Sequence, residues 1–488
     1  MKDITQKPVL ALSIVLALSI AALRPAHART PLQHLQQQNA PQFREGHTLP
    51  PLTRWGWTLP VPVRIELAER WGYALEPNGG SVPEELTELT AQDPQTYPLY
   101  LLLPRPLLSA EFRKTLPEEA WRHTAEGKLP DGKKVLSPEA PDVVFEMVAR
   151  RAVAALKKVR KKAPIEMVLN GGEYGLGVYG FNGKHWKQDP EVMKAKGDRS
   201  WLQYISQKKT HQEEIIADAV HEALPDLRLY IFYHTDGAHG NRYGHWWHWV
   251  GATVEDWLKV SDLPSSSIYF RHYNSGWTGG NDMLTQALNA TGRAIEAGAP
   301  LSYNWHCAGW RRGKMGEKAF GDLRRYMGYL KCYYTAGQIG GIAGYFSRPK
   351  GGFGADFGDE APHWLRQMTV LSRAHALFSH HEEILRNGRL LPGPRSHVWT
   401  KSNPAYEFPT GEKDVRVLAR KHKEKDEWLI TAWAAGGEDR KVSVDIPDLG
   451  KLTLQARDCG TVYRITLKDG DPQRTMLDAN GMRPTGEK

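Results

Sequence analysis

Between residues 52 and 386 the chain alternates eight times between a short apolar burst and an amphipathic stretch. Nothing else in the sequence restricts the fold as tightly. The bursts lie at 52–58, 73–76, 99–103, 165–169, 227–233, 267–273, 301–306 and 339–346, with helical patterns at 63–73, 83–89, 140–161, 201–224, 249–260, 282–297, 320–334 and 362–386. A strand followed by a helix must return to a parallel neighbour, so the alternation reads as successive βα units. The helix over 140–161 shows the pattern well: Val143, Val144, Met147, Val148 and Ala152 share one face, and its end is rich in Lys and Arg, as the helix dipole favours. Eight such units predict an α/β fold, a (β/α)8 TIM barrel with enlarged loops. No Gly-x-Gly-x-x-Gly fingerprint opens an early helix, which argues against a dinucleotide cofactor, and no cofactor is expected.

After Pro392-Gly393-Pro394 the apolar period shortens to two, in short runs separated by turn residues. That pattern predicts a small antiparallel β-sandwich over residues 395–488. At the other end, Lys2 and Lys7 precede an apolar run from Val9 to Leu23 that closes on Ala26-His27-Ala28. This is the layout of a secretory signal, so residues 1–28 are expected to be cleaved from a secreted or periplasmic bacterial protein with no remaining membrane contact. Residues 29–50 form an N-terminal segment and 51–392 the barrel.

Sixty-four Lys and Arg against 55 Asp and Glu give a formal charge of +9, or +7 once residues 1–28 are removed. The excess is too small and too dispersed for a nucleic-acid binder but admits an anionic substrate. Three cysteines, Cys307, Cys332 and Cys459, show no CxxC spacing, which argues against a disulfide scaffold or a thiolate metal site. Seventeen tryptophans are more than core packing usually asks of so large a side chain.

In a barrel of this kind the side chains at the C-terminal strand ends converge on one face, so chemistry is sought there. The fourth strand ends in Glu173 and Tyr174, the fifth in His234 and Asp236 with His239 beyond, and the sixth in Arg271, His272, Tyr273, Asn274 and Trp277. The seventh gives Asn304, Trp305, His306 and Trp310. Aromatic rings stack on sugar C–H faces, while Arg, His and Asn bind hydroxyl, carboxylate or sulfate oxygens, so this rim reads as a glycan groove. The basic residues Arg105, Arg271, Arg311 and Arg348 point to a sulfated or uronate-bearing glycan.

Glu173 directly follows an apolar strand and is flanked by Gly171, Gly172 and Gly175. Here the chain resembles the secreted (β/α)8 glycoside hydrolases of the large clan that carries its acid/base Glu after the fourth strand. The resemblance covers residues 50–390 and the trailing β domain, and it implies that Glu173 is the acid/base. Two departures stand out. Asn170 lies three residues before Glu173 where the clan has Asn immediately before it, and the seventh strand ends without the clan's nucleophile carboxylate. Glycoside hydrolysis by the usual two-carboxylate logic needs a second carboxyl group, one protonating the leaving oxygen while the other attacks or activates water. Asp236 is the nearest candidate, and Asp282, which also suits the N-cap of a helix beginning at Met283, is the next.

Three other readings compete. A barrel without the second carboxylate would bind glycans without cleaving them. The His234, Asp236 and His239 group could serve a metal-dependent hydrolase, although its spacing matches no zinc signature and no metal site is expected. A lyase would use Tyr174 or His306 as base.

Overall fold

The computed structural model describes residues 29–55, 59–76, 82–128, 135–171, 186–233, 256–269, 282–307, 322–343 and 363–477. Seven parallel strands make up its first part: β1 (Arg54–Trp55), β2 (Tyr100–Leu102), β3 (Met167–Gly171), β4 (Leu229–Tyr233), β5 (Ser267–Tyr269), β6 (Ser302–Cys307) and β7 (Gln338–Ala343). They form two sheets, β1-β7-β6-β5 and β2-β3-β4. The second apolar burst of the sequence is reduced to parallel bridges, Leu52 with Tyr73 and Leu75 with Leu99, which join the two sheets. Eight segments therefore lie side by side in chain order, running from β5 through β7 and β1 to β4, and the fold is mixed α/β with parallel sheets.

Helices return the chain between strands: α1 (Pro31–Gln37), α2 (Val61–Trp71), α3 (Glu84–Gln92), α4 (Ala110–Lys114), α5 (Asp142–Arg160), α6 (Pro190–Lys196), α7 (Trp201–Ala223), α8 (Met283–Glu296), α9 (Leu323–Thr335), α10 (His363–Ser379) and α11 (Glu382–Asn387). Local chemistry fixes their ends. Ser200 and Gln203 form a capping box at the start of α7, and Gly72 (φ 71°) closes α2 in a left-handed conformation. The expected helix over 362–386 is two helices, α10 and α11, divided at His380 and His381. Of the helix expected over 249–260, the described part is a single 3₁₀ turn, Trp257–Lys259.

Register sorts the strand residues onto two faces. Tyr100, Met167 and Ile231 share one apolar cluster with Tyr303, Trp305 and Ile339. Leu99, Leu101, Val168, Tyr230 and Phe232 belong to a second, which they share with Val144, Val148 and Ala152 of α5 and Ala217 and Val220 of α7. The first set defines the inner face and the second the helix-covered face, since successive residues of a strand point to opposite sides.

From residue 388 the strands are antiparallel: β8 (Gly388–Leu390), β9 (Val415–His422), β10 (Glu427–Ala434), β13 (Thr461–Lys468) and β14 (Asp471–Leu477) form a five-stranded sheet. β11 (Arg440–Ile446) and β12 (Gly450–Ala456) form a separate hairpin. One face of the sheet and the hairpin share a core that includes Val417, Trp428, Ile430, Val444, Leu454 and Ile465. β14 carries little apolar alternation because most of its residues are exposed at the sheet edge, so the sequence pattern does not mark it.

The opposite face packs on α9. The Trp433 ring lies against Gly328, its Nε1 donates to the Asp458 carbonyl (2.9 Å), and Lys331 Nζ donates to the Gly460 carbonyl (2.7 Å). Arg420, fully buried, donates to the carbonyls of Pro300 (3.0 Å), Thr335 (3.3 Å), Ile384 (3.2 Å) and Leu385 (2.8 Å), tying β9 to the turn before β6, to the end of α9 and to α11.

Candidate functional site

Three of the candidate site residues have described side chains. Asp282 is wholly buried at the N-terminus of α8, where its Oδ1 accepts from the Thr285 backbone N–H (2.9 Å) and its Oδ2 from the Thr285 hydroxyl (2.9 Å). Arg416 Nη1 completes its surroundings at 3.0 Å, and Glu407 pairs with the same guanidinium. Both carboxylate oxygens are thus spent on a helix cap and a link to β9, which leaves the group to structure and not to acid/base work.

Asn304 points to the helix-covered face. Its Oδ1 accepts from the Ser266 N–H (2.6 Å) and Oγ (3.2 Å), and its Nδ2 donates to Gln338, which in turn reaches Thr291 of α8 (2.6 Å). Trp305, 1% exposed, lies on the inner face with its ring edge toward Tyr303, and its Nε1 donates to Thr53 Oγ1 (3.2 Å). Neither is presented to a ligand. Trp71, Trp121, Trp186, Trp257, Trp364, Trp428 and Trp433 are likewise fully buried, so core packing accounts for much of the tryptophan content.

His306 is described as a strand residue of β6. Glu173, Tyr174, His234, Asp236, His239, Arg271, His272, Tyr273, Asn274, Trp277 and Trp310 lie outside the described residues, as does Arg311. The described structure defines the strand ends from which these segments depart.

β3 and β4 are adjacent and parallel, and their last residues, Gly171 and Tyr233, are paired in register. Asn170 faces the helix layer, where its Nδ2 donates to Glu213 Oε2 on α7 (2.7 Å) and contacts the Tyr230 hydroxyl (2.9 Å). Glu213 is buried, which pushes its carboxyl pKa up, while the charge of Lys209 one turn earlier and the hydrogen bond from Asn170 oppose that shift. A polar bracket therefore pins the end of β3 to α7 at a depth where the neighbouring contacts are apolar.

On the inner face the arrangement is different. A Cβ at Gly171 would stand 1.8 Å from Arg105 Nη2 and 2.9 Å from its Cζ. The guanidinium thus occupies the space that any larger residue at 171 would claim. Leu102, in register with Leu169, is 41% exposed although its strand neighbours are buried.

A second polar cluster lies where strand β1, residues 73–76 and β2 meet. Glu76 pairs with Arg54, lies 3.8 Å from Arg64 Nε, and accepts from the Tyr100 hydroxyl (3.0 Å). Burial lowers the Arg54 pKa to about 9. Sequence reasoning missed both Glu76 and Glu213. Glu76 is the last residue of the second apolar burst, a position that signals a strand end; Glu213 belongs to a polar-looking helix face, and only the register of α7 against β3 turns it inward. Among the described residues, no group of three or more His, Cys, Asp or Glu is placed to hold a metal ion. No described helix is long and apolar enough to cross a membrane.

No family model matches the chain, and no curated protein matches it. Among solved structures it is similar to a GH27 β-L-arabinopyranosidase from Geobacillus stearothermophilus (9% identity over 77% of this chain and 75% of that one, TM-score 0.37). It is similar to an Anoxybacillus α-amylase (10%, 80% and 80%, TM-score 0.41) and to an exo-carrageenase of GH42 from Bacteroides ovatus (10%, 94% and 88%, TM-score 0.40). These neighbours are glycoside hydrolases, and scores this low do not transfer an activity to the chain.

Proposed function

We propose that the protein is a secreted or periplasmic glycoside hydrolase whose eight parallel segments close into a (β/α)8 barrel, followed by a β-sandwich. In this reading Glu173 is the general acid/base and Asp236 its partner carboxylate. The observation that carries it is the pairing of Gly171 with Tyr233 at the ends of β3 and β4. Adjacent strands run about 4.8 Å apart, so segments leaving from paired residues start close together. Glu173 comes two residues after Gly171 and Asp236 three after Tyr233. Carboxyl groups about 5–9.5 Å apart span the retaining and inverting arrangements, and two side chains from neighbouring strand ends can reach that range. One group then protonates the glycosidic oxygen as the bond to the anomeric carbon breaks, while the other attacks that carbon or activates water.

The test is release of reducing ends from algal and plant polysaccharides by the wild type and by Glu173→Gln. The reading expects cleavage of at least one polysaccharide by the wild type and its near abolition in the variant. Binding without cleavage would select a glycan-binding barrel instead, a reading favoured by the carboxylate-free end of β6. Loss of activity on chelation would turn attention to His234, Asp236 and His239.

A further inference from the structure

We infer that Arg105 is a specificity residue that binds the sulfate or carboxylate group of an anionic glycan at the end of β2 and β3. The inference rests on the glycan reading above and deepens it. A guanidinium offers paired N–H donors that match the oxygens of a carboxylate or sulfate, and its charge is retained at any working pH.

Its position is what distinguishes it from an ordinary surface arginine. Residue 171 shares the inner face with Met167 and Leu169, and the missing side chain of Gly171 is replaced by the Arg105 guanidinium, whose Nη2 lies 1.8 Å from where a Cβ would stand. The glycine makes room for the cation. Leu102, exposed on the same face, gives the spot an open apolar flank beside the charge, as a sugar ring bearing an anionic substituent requires. On the far side of the sheet Glu213 is engaged by Asn170 and has Lys209 as its foremost charge partner, with Arg105 contributing less. The Arg105 guanidinium itself lies beside Gly171, whose missing side chain would stand on the inner face.

Two substitutions separate this role from a structural one. Arg105→Gln removes the charge. Gly171→Ala keeps the arginine but forces the guanidinium aside, at small cost to the fold because the colliding atoms are the far end of a flexible side chain.

The experiment is retardation of the full chain in native gels cast with κ-carrageenan, with its desulfated form, with polygalacturonate and with its methyl ester. The expected result is wild-type retardation by a charged polymer that exceeds that by its neutral counterpart, with the excess reduced about ten- to a hundredfold in both variants, as for loss of a charge-assisted contact. The carrageenan and polygalacturonate arms distinguish sulfate from carboxylate. Unchanged preference for charged polymers in both variants would overturn the inference, as would equal loss on charged and neutral polymers with a lowered melting temperature, which marks a structural role. Absence of retardation or cleavage by every polysaccharide would overturn the glycan reading itself.

Discussion

Arg416 of β9 reaches the wholly buried Asp282 at the N-cap of α8, Nη1 to Oδ1 at 3.0 Å. The carboxylate satisfies the first turn of the helix and the guanidinium at once, and Glu407 shares the cation. Removing Asp282 strips α8 of its N-cap, at about 0.5–2 kcal/mol, and leaves Arg416 with Glu407 alone, a further loss below the roughly 3–5 kcal/mol of a fully broken buried pair. Asp282→Ala is therefore expected to lower the unfolding midpoint strongly while the molecules that remain folded keep their turnover, checked by denaturant unfolding beside activity per folded molecule. Loss of turnover at unchanged stability would instead return Asp282 to the chemistry.

Arg420 serves four carbonyl oxygens from β9, with no carboxylate among those contacts. Burial lowers its pKa to about 10. Arg420→Met keeps much of the volume and removes every donor, leaving buried carbonyls unpaired at about 1–3 kcal/mol each where water cannot enter. A fall in melting temperature larger than that of Lys421→Met, on the same strand, is the expected outcome in a calorimetric comparison.

Gly328 of α9 has no space for a side chain, because a Cβ there would stand 2.2 Å from the Trp433 ring and 2.7 Å from the Asp458 carbonyl. Gly328→Val should force the antiparallel domain away from α9. Overpacking of this kind costs about 1–3 kcal/mol, and limited proteolysis between residues 391 and 415 should accelerate.

Acid should destabilise the fold where α10 and α11 meet. Burial holds the His375 pKa down to about 3 and that of His381 to about 4. Burial also disfavours the Glu382 carboxylate, but hydrogen bonds from Thr48, Arg386 and Arg44 outweigh it and bring the pKa to about 2. Each histidine is neutral in the folded state and takes up a proton on unfolding below its ordinary value near 6.5, so stability is complete above that pH and declines as pH falls toward 4. The slope is roughly 1.4 kcal/mol per pH unit for each histidine. Glu382 adds a further loss from pH 4.5 downward, in the same direction. Unfolding measured from pH 7 to 4 should show the decline, and His375→Gln should flatten it.

The eight alternations were legible because each burst is short and apolar and each return amphipathic, as at 165–169 followed by 201–224. Trp305 was misread as a cleft residue because a strand-end tryptophan looks the same in sequence whether its ring meets a sugar or, as here, Tyr303 and Thr53. Asp282 gave the N-cap signal and holds that position, but its second role depends on Arg416, more than 130 residues later, which no local pattern links to it. Glu213 was missed for the same reason: its burial is a property of tertiary register, and sequence alone presents it as an ordinary polar position.

The central claim is that Glu173 carries the acid/base step of glycan cleavage. Its most direct test is the turnover number of Glu173→Gln against wild type on the polysaccharide the wild type cleaves, with unfolding midpoints confirming that both are folded. The account expects a fall of about 10²–10⁴-fold at an unchanged midpoint, the usual contribution of a positioned general acid. Wild-type turnover in Glu173→Gln would contradict it.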